Sequence, residues 1–208
     1  TLSEIYKHLK FSSYYSLKNN PPQYIDYIRH QLKKSEDKVF QAEADKVWRK
    51  ILGKVDGVTK FPNDISQAES KPPTEQAVKR HEFSLSSEDL LALKNLAQLN
   101  QVTCFTVLFA VFALVVASYT FQKKITLITA TNGRDGHPSF DKMIVFFVNL
   151  LVQPFEIEAN QLFAKYLEQV NEQFLVSQEF QNIPASKILE ILGQMGVQGI
   201  FSSIAFIY

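Results

Sequence analysis

Val102-Thr103-Cys104-Phe105-Thr106-Val107-Leu108-Phe109-Ala110-Val111-Phe112-Ala113-Leu114-Val115-Val116-Ala117-Ser118-Tyr119-Thr120-Phe121 runs twenty residues without a charge. Three residues later comes Ile125-Thr126-Leu127-Ile128-Thr129-Ala130-Thr131. The first stretch is long enough to nominate a membrane span. Against that, Thr103, Cys104, Thr106, Ser118 and Thr120 put polar groups at both ends, and no Lys/Arg asymmetry or Trp belt flanks it. A buried core helix from about Thr103 to Tyr119, apolar nearly all round, is the expected structure. The second stretch alternates and is rich in β-branched residues, so it predicts a strand. A buried helix feeding a half-buried strand is the signature of a sheet covered by helices, hence an α/β chain.

Working outward, the same pattern continues on both sides. Ser86 followed by Asp89 resembles a capping box, opening a helix with Leu90, Leu93, Leu96 and Ala97 inside and Asn100 as its left-handed stop. His81–Leu85 before it has the look of a short strand. Downstream, Asn132-Gly133-Arg134-Asp135-Gly136-His137-Pro138 is a loop, and Met143–Val152 leads into a strand reaching Ile157. Pro154 belongs at a sheet edge, because proline has no N–H to give a central ladder. Asn160 is placed to cap a helix carrying Leu162, Phe163, Tyr166, Leu167, Val170 and Phe174 on one face. Pro184 starts a shorter helix to Leu192, and Gly199 leads into a closing strand.

Upstream, Pro21-Pro22 breaks the opening segment. Tyr24, Ile25, Tyr27, Ile28 and Leu32 then repeat at helical spacing, as do Val39, Val47, Trp48, Ile51 and Leu52 before Gly53 and Gly57. Three parts are expected: a helical segment over 1–60, an exposed Pro-rich connection over 61–80 with Pro62, Pro72 and Pro73, and an α/β unit over 81–208.

Composition narrows the function classes. The chain has 208 residues, 46% apolar, which disfavours disorder and rod-like folds. With 22 Lys+Arg against 21 Asp+Glu, no net field draws it to nucleic acid or to an anionic membrane. A single Cys104 excludes an internal disulfide and fits a reducing, cytoplasmic setting; the start Thr1-Leu2-Ser3-Glu4 lacks a signal-peptide pattern. A start without Met and a final Ile204-Ala205-Phe206-Ile207-Tyr208 that looks like an unfinished strand lead us to expect a piece of a longer protein.

Most chemical signatures are missing. Gly193, Gly196 and Gly199 lack the Lys-Ser/Thr and strand context of a phosphate loop. His8, His30, His81 and His137 stand singly, without metal-ligand spacing, and no metal site is expected. Cys104 lies in the most apolar stretch and is expected in the core. His137, before Pro138, is a loop residue. Ser202 and Ser203 fit either satisfied strand serines or hydroxyls facing a cavity. Asn149, inside Phe146-Phe147-Val148-Asn149-Leu150-Leu151, must find hydrogen bonds. A backbone clamp and a substrate contact are equally good readings. Arg134 and Asp135, between Gly133 and Gly136, are expected as a loop clamp with the guanidinium donating to carbonyls.

Six landmarks in order resemble nonribosomal peptide synthetase condensation domains. They are Tyr24-Ile25-Asp26-Tyr27-Ile28, Val47-Trp48-Arg49-Lys50-Ile51-Leu52, the run from Val102 to Ala110, Gly133-Arg134-Asp135, Phe146 to Val152, and Gln181-Asn182-Ile183-Pro184. The resemblance implies a chloramphenicol-acetyltransferase-like lobe with a mixed sheet covered by helices. Condensation domains have two such lobes with a tunnel between them. They join an acyl or peptidyl thioester to an aminoacyl thioester, both delivered on phosphopantetheine arms of carrier proteins.

Their catalytic landmark His-His-x-x-x-Asp-Gly does not occur in this sequence. The resemblance therefore implies that 1–60 follows a first lobe, that 81–208 is much of the second, and that no catalytic histidine is here. The isolated chain is expected to be inactive. Asn149 and Ser203 are implied at the tunnel, and Arg134 with Asp135 as a loop anchor. No cofactor is expected on the chain itself. Upstream and downstream peptidyl carrier proteins, an adjacent adenylation domain and the first lobe are the implied partners. The sequence departs from the family pattern at Val145, where glycine is usual, at Phe180 in place of histidine and at Ala185 in place of an aromatic residue. A noncatalytic carrier-binding platform, or an epimerisation or cyclisation relative, therefore stays open beside the condensing enzyme.

Overall fold

The computed structural model describes Lys10 and residues 22–55, 57–62, 79–134, 138–141, 143–197 and 204–208. Its elements are α1 (Tyr24–Glu36), α2 (Lys38–Leu52), α3 (Ser87–Leu99), α4 (Cys104–Thr120), β1 (Lys124–Thr131), β2 (Asn149–Glu156), α5 (Phe163–Glu179), α6 (Ala185–Gln194) and β3 (Ala205–Phe206). The strands lie in the order β2-β1-β3. β1 and β2 are antiparallel, from Lys124 opposite Glu156 to Thr131 opposite Asn149. β3 runs parallel to β1 with Ala205 opposite Ile128. The sheet is therefore mixed, and it is helix-covered as expected from the alternation of elements.

Side chains explain where the helices begin. The Asp37 carboxylate accepts from the backbone N–H groups of Val39 and Phe40, so α2 starts immediately after α1 ends. Ser86 and Asp89 form the reciprocal capping box. Pro184 occupies the N-cap of α6.

Two apolar layers build the core. One joins α4 and α5 to the sheet through Phe109, Ala110, Ala113, Leu127 and Leu167. The alanines allow close helix approach, and Phe206 of β3 stacks on Phe109 at 5.4 Å. The other gathers Trp48 and Leu52 of α2 with Leu151 of β2 and Ile188, Ile191 and Leu192 of α6. Trp48 is fully buried, and its indole N–H donates to the Phe180 carbonyl at 3.4 Å.

Pro154 lies in an edge strand. Thr126, opposite it, turns its N–H away to the Thr59 hydroxyl at 2.6 Å. The Pro154 carbonyl points outward and accepts from Gln173 Nε2 of α5 at 2.7 Å. The buried Gln153 beside it donates to the Ser177 hydroxyl at 2.7 Å, and Ser177 in turn donates to the Phe174 carbonyl. Side chains of α5 thus occupy the free rim of β2.

Several expectations need correction. His81–Leu85 is not a strand: it is irregular and exposed, with Phe83 90% accessible, and no strand among the described residues pairs with it. The left-handed residue after α3 is Gln101 (φ 54), because Asn100 stays near-helical with its side-chain amide donating back to the Leu96 carbonyl. Asn160 does not cap α5. The helix starts three residues later at Phe163, where its buried face begins, with Leu162 at the N-cap. β2 starts at Asn149, so Met143–Val148 is loop rather than strand.

α4 is not buried all round. Its Val111, Val115 and Tyr119 form an outward stripe, since the sheet and α5 cover only the opposite side. Cys104 is half-buried against the core. Ile25 and Leu32 are exposed despite helical spacing, because little of α1 meets another apolar surface among the described residues, and Val39, in the first turn of α2, is exposed too. Asp135, His137, Gly199, Ser202, Ser203 and most of the 61–80 connection lie outside the described residues. No single helix among the described residues is long and apolar enough to cross a membrane.

Candidate functional site

Residues of four landmarks, Tyr27, Gly133 and Arg134, Phe147 and Asn149, and Gln181 to Ile183, meet where β1 ends and β2 begins. Gly133 follows β1 with φ +61, and a Cβ built on it would fall 1.8 Å from the Phe147 carbonyl oxygen. Only glycine lets the two loop segments approach so closely. The Asn132 carboxamide oxygen accepts from the Arg134 N–H at 3.1 Å, which turns the chain back on itself.

Arg134 then closes the loop. Its guanidinium donates to the Phe140 carbonyl and, at 3.0 Å, to the Met143 carbonyl. The same group lies over the Phe147 ring, 4.3 Å from its centroid. Charge-assisted donation to two carbonyls and a stacked face hold the guanidinium against its own loop.

Asn149, opposite Thr131 in the β1–β2 register, clamps a different segment. Its Nδ2 donates to the carbonyls of Gln181 at 2.5 Å and Ile183 at 3.1 Å, and its Oδ1 accepts from the Leu150 N–H at 2.9 Å. Of the two readings left open by sequence, these contacts are those of a backbone clamp. Thr131 adds a second hold by donating to the Gln181 side-chain oxygen. The α5–α6 turn is therefore gripped by the ends of both strands.

A small aromatic cluster of Tyr27, Phe140, Met143 and Phe147, separate from the two core layers, packs beneath the Arg134 loop. Tyr27, Gln31, Thr131 and Gln181 were not singled out as functional by sequence reasoning. The available signal was a hydroxyl-bearing ring on the apolar face of α1 and two polar residues flanking predicted boundaries. Elsewhere, a cleft of about 450 Å³ between α2, β2 and α5 is lined by Ile51, Lys54, Phe155, Tyr166 and Gln173, and reaches neither Arg134 nor Asn149. Among the described residues no group of three or more His, Cys, Asp or Glu is placed to hold a metal ion.

A family model for the condensation domain matches residues 1–205. The chain belongs to the condensation-domain family. A nonribosomal peptide synthetase of Aspergillus campestris, ungA', is 27% identical over 183 residues, covering 88% of this chain and 2% of that protein. Bacitracin synthase 3 of Bacillus licheniformis is 27% identical over 175 residues, covering 82% of this chain and 2% of that protein. Among solved structures, the nonribosomal cyclization-docking bidomain EpoB of Sorangium cellulosum superposes with a TM-score of 0.72 at 17% identity, over 91% of this chain and 39% of that one. That likeness establishes the chloramphenicol-acetyltransferase-like fold of the lobe. The chain spans about one-fiftieth of the two synthetases it matches.

Proposed function

We propose that the chain is the connection and much of the second lobe of a condensation domain that makes amide bonds between carrier-bound thioesters. Family membership over residues 1–205 is the observation that carries this reading. In the reaction, a carrier-bound amine attacks the thioester carbonyl carbon, the C–N bond forms, the C–S bond breaks and the carrier thiol leaves. The amine proton passes to a base that this chain does not contribute. Orientation of the two arms inside a closed tunnel supplies much of the acceleration.

This chain's part is to build wall and carrier-facing surface. Arg134 and Asn149 hold the loops at the open end of the sheet, with Asn149 beside the tunnel and Ser203 contributing a hydroxyl to it. Asp135 shares the loop anchor. Upstream and downstream carrier proteins bearing phosphopantetheine, an adenylation domain and the first lobe are its partners, in the cytoplasm. The departures at Val145, Phe180 and Ala185 favour, as a second reading, a platform that binds carriers without condensing them.

The test is product formation from carrier-bound thioesters by the whole polypeptide that bears this chain. Amide product formed by the wild type supports the condensing reading. Carrier binding without any turnover in the wild type selects the platform.

A further inference from the structure

The two clamps are themselves seated by helix α1. The Tyr27 hydroxyl donates to the Gly133 carbonyl at 3.2 Å, at the base of the Arg134 loop. Gln31, one turn further along α1, uses a single amide nitrogen twice: it donates to the Tyr27 oxygen at 2.7 Å and to Asn182 Oδ1 at 3.3 Å. Asn182 lies between the two carbonyls that Asn149 grips, at Gln181 and Ile183. The other end of its carboxamide, Nδ2, is buried with no hydrogen-bond partner among the described residues. The Asn182 side chain is thus oriented by Gln31 at its oxygen.

Packing singles out the same residue. The Tyr27 ring meets Phe140 edge-on at 5.4 Å and Phe147 at 4.7 Å. Those are the residues whose carbonyls and ring Arg134 and Gly133 contact. Tyr27 is 8% exposed, while Tyr24, Ile25 and Leu32 on the same helix are 45%, 52% and 54% exposed. Tyr27 is the buried residue by which α1 is seated on this end of the sheet, with Ile28 packed beside it and His30 edge-on to Phe140 at 5.4 Å.

We propose that Tyr27 and Gln31 are positioning residues that couple the Arg134 loop to the α5–α6 turn, so that both clamps hold their geometry only while α1 is seated. Their bearing on catalysis rests on the proposed condensation function. Hydrogen exchange on the 208-residue chain tests the coupling directly. Tyr27→Phe keeps the ring packing and removes the hydroxyl. Exchange at 132–134 and at 181–183 is expected to rise about fivefold, the loss of one net hydrogen bond, with 166–170 unchanged. Gln31→Leu is expected to raise exchange at 181–183 by a similar factor and serves alone if the first variant does not fold. Unchanged protection in these segments, or a uniform rise across the chain, overturns the proposal.

In the whole polypeptide, Gln31→Leu is expected to lower kcat about fivefold with KM for the carrier-bound amine unchanged. Altered exchange with unaltered kcat overturns the positioning role. A wild type without turnover overturns the condensation function and leaves the seat to be decided by exchange alone.

Discussion

The Phe147 carbonyl oxygen occupies the space that a side chain on Gly133 would need, 1.8 Å from the position of its Cβ. Because Gly133 also has φ +61, Gly133→Ala meets two penalties: left-handed backbone for a residue with a Cβ, and a forced shift of the segment before β2. We expect a loss of about 2–4 kcal/mol in chemical denaturation, with the largest rise in hydrogen exchange at residues 132–134 and 143–149.

Asn149→Ala removes two donations and one acceptance at once and leaves the Gln181 and Ile183 carbonyls short of a partner. A stability loss of about 1–3 kcal/mol is expected by urea titration of the chain. Product formation by the whole polypeptide should fall as well; turnover that stays unchanged overturns the proposed place of Asn149 beside the tunnel.

Ser177 is the acceptor for the buried Gln153 amide. Ser177→Ala strands that N–H between α5 and β2, at an expected cost of about 1–3 kcal/mol. The double variant Gln153→Leu with Ser177→Ala should recover much of that loss, because it removes donor and acceptor together. A double variant less stable than Ser177→Ala alone would contradict this account.

Burial pushes the Tyr166 phenol well above its ordinary value near 10, and the hydroxyl donates to the Ala110 carbonyl at 3.4 Å. The neutral form is therefore favoured in the folded chain. Below the unfolded value near 10 its contribution is fully present; as pH rises past it, the unfolded chain releases this proton while the folded chain retains it, and stability falls. Compared across pH 9 to 11.5, roughly the range in which unfolded tyrosine ionises, Tyr166→Phe should lose less stability than the wild type. Parallel curves for the two proteins would show that the phenol does not carry the effect.

Legibility in the sequence followed the range of the interactions. α4 and β1 were readable because their signals are local: an uncharged run with polar ends, then β-branched alternation. The capping box of Ser86 and Asp89 was readable for the same reason, and Pro154 marked an edge because its missing N–H restricts it wherever it sits. Asn160 misled, since a good cap residue does not decide where a helix starts when the buried face begins at Phe163. His81–Leu85 misled because a strand depends on a partner outside its own sequence. The Arg134 clamp was anticipated from its glycine neighbours. The hold of Asn149 on the turn after α5 spans more than thirty residues, and Tyr27 reaches Gly133 across 106. Such pairings leave no periodic trace.

The rim of β2 has a further consequence for how this protein meets other chains. Pro154 cannot donate there, and Gln173 already occupies its carbonyl. An incoming strand would have to displace a glutamine to gain a site with half its hydrogen-bonding capacity. At Pro154 the flank of β2 beneath α5 therefore offers an incoming strand neither a donor nor a free acceptor.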